Sequence, residues 1–119
     1  MKNFGDLSVW QKAHELTLAV YKVTNRFPKE EIYGLTSQMR RSSSSIAANI
    51  AEGCGRRTEA DFARFLPNAF GSAREPEYHI TLAGDLGFIN RDDTDRLSED
   101  VIEVKKMLAA FLRKLNAIS

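Results

Sequence analysis

The chain is short of the residues that staple, anchor or activate a protein, and each shortage removes a class of function. It holds a single cysteine, Cys54, so no disulfide can form within it and a reducing compartment is expected. No apolar run approaches the roughly 18 residues that a membrane-spanning helix requires. The opening Met1-Lys2-Asn3-Phe4-Gly5-Asp6 lacks the apolar core of a secretory signal, and the expected location is cytoplasmic. Walker-loop, GxGxxG, HExxH and GxSxG patterns are missing, so no enzymatic activity and no cofactor are expected. Charge of one sign is scarce too. The net value of +1 lacks the basic excess usual in nucleic-acid binders.

What remains is an ordinary globular composition, 43% hydrophobic and 28% charged, which places the chain outside the disordered class. Its 119 residues suit one domain over 1–119, large enough to bury a core unaided. Charge is unevenly spread: residues 1–75 carry 11 basic and 8 acidic side chains, residues 76–119 carry 6 and 8. The halves stand at +3 and −2, which permits a local basic patch.

Apolar spacing predicts four helices and no strand. The first runs over about 6–26, from an Asp6 cap to the Phe27-Pro28 stop, because the residue before proline avoids the helical region. Its apolar residues, Leu7, Val9, Trp10, Leu16, Leu18, Val20 and Tyr21 among them, spread wider than the roughly 100° that one buried face needs. The excess points to a second burial partner, such as another subunit. The second helix covers about 34–53, with Leu35, Met39, Ile46 and Ile50 as its seam and Gly53-Cys54-Gly55 as its stop. Its Ser42-Ser43-Ser44-Ser45 run reads as a tight packing face of small residues. The third covers about 58–87, opening on a capping pair, Thr58 and Asp61. It contains Pro67 and Pro76, each costing about 3 kcal/mol in a regular helix interior, so a distortion is expected at one or both. The fourth, about 93–116, carries Leu97, Val101, Val104, Leu108, Phe111 and Leu115 in a 4-3-4-3-4 spacing. Short connections make neighbours antiparallel, giving an all-α, up-and-down antiparallel four-helix bundle.

Three constellations invite a chemical reading. Cys54 has no histidine near it in sequence and sits at a helix C-terminus, the wrong end of the dipole for a thiolate, so it reads as a packed or idle thiol. Glu75 and His79, at i and i+4, share a helix face, but no second such motif completes a metal site, and ion pairing or hydrogen bonding is the expected use. Polar stripes are more informative. Gln38, Arg41, Ser45 and Asn49 line one face of the second helix, and Asn68, Ser72, Glu75 and His79 one face of the third. A hairpin about the 54–58 loop sets Asn49 opposite Asn68, Ser45 opposite Ser72, Arg41 opposite Glu75 and Gln38 opposite His79. These stripes read as an interhelix network, with a buried Arg41–Glu75 ion pair, or else as a solvated face. Arg40, Arg56, Arg57 and Arg64 form the candidate nucleic-acid contact, with Arg56 and Arg57 in a loop. Pairing of these arginines with Glu52, Glu59 and Asp61 is the alternative.

The same residues carry a family likeness. Phe4-x-Asp6-Leu7-x-Val9-Trp10-x-x-Ala13, Phe27-Pro28 and the run from Tyr33 to Arg41 resemble the four-helix-bundle proteins encoded within intervening sequences of bacterial 23S rRNA genes. So do Ser45-Ile46-Ala47-Ala48-Asn49-Ile50-Ala51-Glu52-Gly53 with Gly55-Arg56, and Phe65-Leu66, Ala69, Gly71-Ser72 and Glu75. The likeness spans about residues 4–115. It implies the bundle fold and a homo-oligomer, commonly a pentamer. It also implies kinship with the accessory proteins of diversity-generating retroelements, basic pentameric barrels that bind nucleic acid and a reverse transcriptase. No catalytic residues are carried over. Pro67 and Pro76 stand where ordinary helix formers are usual in that family. The expected function is therefore a non-catalytic, homo-oligomeric interaction module that engages RNA or a ribonucleoprotein through the arginines. The alternative is a protein–protein scaffold or regulator without nucleic-acid binding.

Overall fold

Helix boundaries in this chain are set by a few polar side chains and one proline. The computed structural model describes residues 3–56 and 58–118. Asn3 accepts from the Gly5 N–H and starts a 3-10 turn, Phe4–Asp6, which precedes α1, Ser8–Thr24. A second 3-10 turn, Lys29–Glu31, leads into α2, Leu35–Cys54. The Thr58 hydroxyl accepts from the Asp61 N–H at 3.0 Å and caps α3, Glu59–Ser72. Helix α4 follows as Arg74–Asp85, and α5 as Arg91–Ile118. Among the described residues there is no strand.

The elements make four antiparallel arms, with the third divided between α3 and α4. Helix α1 packs on α2 and α5, and both α2 and α5 pack on α3 and α4. The diagonals of the bundle are therefore α1 against the divided arm, and α2 against α5. At 28 residues, α5 spans about 42 Å, close to the 46 Å long axis of the molecule. One core runs through the centre, where Leu16, Met39, Ile46, Ile50, Phe62 and Leu108 are all but excluded from solvent. No helix of the described residues is long and apolar enough to cross a membrane.

Some boundaries differ from the pattern-based expectation. Asp6 closes the 3-10 turn instead of capping α1, whose N-cap is Leu7 with no side-chain hydrogen bond. The expected third helix is interrupted at Ala73. Pro76 is the cause, since it has no N–H to give the Ser72 carbonyl and instead occupies the first turn of α4, where that donor is dispensable. Pro67 lies exposed within α3 without interrupting it. As expected, α2 stops within Gly53-Cys54-Gly55, with Cys54 its last residue and Gly55 its C-cap, and Gly53 lies inside the final turn. Its role is close approach, for a Cβ there would stand 2.8 Å from the Phe62 ring. Finally, the Asn90 side chain accepts from the Asp93 N–H at 2.7 Å, so α5 starts two residues earlier than its polar turn implied.

Among the described residues the left-handed one is Gly87, with φ of 77°. It ends α4 in a turn where the Phe88 N–H donates to the Ala83 carbonyl at 2.9 Å. A side chain there would be strained.

Candidate functional site

Helix α2 is where the polar side chains of the sequence come together, and it holds them against three neighbours. Toward α3, the Asn49 amide donates to Ser72 Oγ at 2.8 Å and to the Ser45 carbonyl at 2.9 Å. Ser72 Oγ donates in turn to the Asn68 carbonyl at 2.8 Å, and Ser45 Oγ to the Ser42 carbonyl at 2.7 Å. Toward α4, Ser42 Oγ and His79 Nδ1 share a hydrogen bond at 3.1 Å, and both residues are buried. Toward α1, Thr17 Oγ1 lies 3.2 Å from the Ser43 carbonyl. Small hydroxyl residues let these helices approach closely enough for direct hydrogen bonds.

The register is one helical turn away from the expected one. Asn49 meets Ser72 where Asn68 was expected, and His79 meets Ser42 where Gln38 was expected. A four-residue shift keeps the same faces together, which is why the stripes still meet. It also separates Arg41 from Glu75. The expected buried ion pair is absent: Arg41 is exposed, and Glu75, 65% exposed at its side chain, lies 3.7 Å from His79 Nε2. Gln38 is exposed as well, and the Asn68 side chain faces solvent. Burial holds the His79 imidazole below its ordinary range, with Glu75 pulling weakly the other way. Burial likewise pushes the Cys54 thiol up, away from nucleophilic use at neutral pH.

The arginines do not form one patch. Arg56 lies over the Phe65 ring at 4.6 Å and 3.8 Å from Glu52. Arg64 pairs with Asp61 one turn away, and its side chain is largely exposed. Arg57 lies outside the described residues. Arg40 sits apart from these, at the opposite end of α2. Its Nε donates to Thr24 Oγ1 at 2.9 Å, its Nη2 to Asn25 Oδ1 at 3.0 Å, and its guanidinium covers the Tyr21 ring at 4.8 Å. Thr24 and Asn25 gave no sign of this role in the sequence. Only Tyr21, apolar and off the main stripe of α1, hinted at it.

A second surface runs along α1. Trp10, His14, Leu18 and Tyr21, spaced by 4, 4 and 3, lie on one face. Trp10 and His14 stack with ring centres 4.9 Å apart, and Phe4 adds a further ring at 4.9 Å from Trp10. Leu18 is 56% exposed, and beyond Tyr21 the loop adds Ile32 and Tyr33, the latter 93% exposed.

Comparison with known proteins agrees with this architecture. The family model of the 23S rRNA-intervening sequence protein matches residues 5–110. No curated protein matches. Among solved structures, a protein of unknown function from the S23 ribosomal protein family of Bacteroides thetaiotaomicron is similar, with a TM-score of 0.79 and 27% sequence identity. The match covers 88% of this chain and 95% of that one.

Proposed function

Since the chain belongs to the 23S rRNA-intervening sequence protein family, we propose that it is a non-catalytic, cytoplasmic interaction module that self-associates, as a pentamer by the family resemblance, and engages RNA or a ribonucleoprotein. The observation that carries self-association is the exposed ladder of α1. Isolated exposed apolar side chains are ordinary, but Trp10, Leu18 and Tyr21 on one face of α1, with Phe4 against Trp10 and Ile32 beside Tyr21, favour a macromolecular partner. Aromatic residues of this kind supply much of the binding energy at protein interfaces. The RNA reading draws on the family's name and on cations that the fold leaves at the surface.

A specific observation favours the second reading, a protein scaffold without nucleic acid. Arg56 and Arg64 already face Glu52 and Asp61, which lowers the charge they offer to phosphate. Sedimentation equilibrium tests the first part: the parent chain should have a mass several times 13.4 kDa, and Leu18→Glu with Tyr33→Glu should return it to monomer. A parent that sediments as a monomer refutes it. RNA binding, measured across a salt series, should weaken steeply as salt rises. Complete absence of RNA binding at low salt leaves the scaffold reading standing.

A further inference from the structure

The corner where α1 gives way to α2 gathers three cations that no acid among the described residues pairs with. Two clefts of about 320 and 420 Å³ flank Arg40 and share Thr36. Lys29, Arg40 and Arg41 line them, and no carboxylate does. Among the described residues no salt bridge joins any of these three cations to an acid. Arg40 is oriented by neutral partners alone, Thr24, Asn25 and the Tyr21 ring. Its direction is fixed while its charge stays uncompensated.

Thr36 supplies an independent indication. It is only 3% exposed, it lines both clefts, and among the described residues its hydroxyl makes no hydrogen bond. Among the described residues no solvent-excluded side-chain oxygen or nitrogen lacks a partner, so this hydroxyl opens into the clefts and is free to meet a ligand. The backbone adds donors at the same place. Helix α2 is 20 residues long, and its N-cap, Gly34, offers no side chain. The Glu31 carboxylate accepts from the Leu35 N–H at 3.1 Å and lines neither cleft. Among the described residues nothing accepts from the Thr36 and Ser37 N–H groups that follow. A helix N-terminus with free amides favours an anion.

We propose that this corner is a binding site for a phosphoryl group. The Thr36 hydroxyl and the Thr36 and Ser37 amides meet its oxygens, and Lys29, Arg40 and Arg41 balance its charge. The phosphoryl group has two sources, the backbone of an RNA strand or a small phosphomonoester. Only the first rests on the RNA reading above.

The test follows backbone amide resonances of the full chain during titration with inorganic phosphate, then with an oligouridylate lacking terminal phosphates. Phosphate should shift the Thr36 and Ser37 amides saturably. Arg41→Glu, at an exposed position, should weaken it about tenfold by reversing a nearby charge. Thr36→Val, which keeps the side-chain shape, should weaken it several-fold. Unmoved amides, or variants that bind phosphate as the parent does, overturn the site. If phosphate binds and oligouridylate does not displace it, the site stands for a phosphomonoester and an RNA strand is overturned as its source. If oligouridylate shifts the Thr36 and Ser37 amides and the corner variants weaken it as they weaken phosphate, an RNA strand is the source.

Discussion

His79 is buried between α2 and α4 with one nitrogen on Ser42 and the other beside Glu75. Because burial lowers its proton affinity, the unfolded chain takes up a proton in a range where the folded one does not. Protonation there favours unfolding. Stability should be constant above about pH 6.5, the ordinary imidazole value, and fall as pH drops below it toward the folded-state value. The loss is bounded by one proton, about 1.4 kcal/mol per pH unit. Urea unfolding between about pH 7.5 and 5 measures it, and His79→Asn should flatten the slope. An unchanged slope in that variant would locate the titration elsewhere. The same neighbourhood shows what side-chain pattern alone could reveal. That polar faces of α2 and its partner meet was legible from their i, i+4 spacing, as with Asn49 and Ser72. Which residue meets which was not, because a shift of one turn preserves every face while changing every pair.

The helices themselves were more legible than their joints. Apolar spacing placed α2 and α5 to within two residues, since the core seam of Leu97, Val101, Val104 and Leu108 leaves no other face to bury. Joints depend on single backbone groups, and these escape periodicity: Leu7 in place of Asp6 as a cap, and Ala73 as the interruption three residues ahead of Pro76. Glycines split along the same line. At Gly53 a methyl group would meet Phe62, which is 1% exposed and packed on Phe111 with ring centres 5.5 Å apart. A methyl group at that distance must displace the buried Phe62 ring, so Gly53→Ala should lose about 1–2 kcal/mol, overpacking outweighing the gain in helix propensity. At Gly71 a Cβ meets nothing within 4 Å, and Gly71→Ala should add about 0.5–1 kcal/mol. Thermal unfolding of both variants checks the opposite signs, and equal responses would contradict the packing at Gly53.

For the whole molecule, the proposed self-association through α1 would couple folding to concentration. Its melting temperature should rise with protein concentration, and Leu18→Glu should remove that dependence. A parent whose melting point ignores concentration would speak against association through this face. The interruption at Ala73 also sets how the bundle carries mechanical load. Three arms are continuous hydrogen-bonded rods, whereas the backbone ladder of the other stops between Ser72 and Arg74. Load between α4 and α3 is therefore shared with the two neighbours that lie against both halves, α5 through the Lys105–Glu77 contact at 3.1 Å and α2 through the Ser42–His79 bond. Helices α2 and α5 thus splint a jointed strut from its two sides.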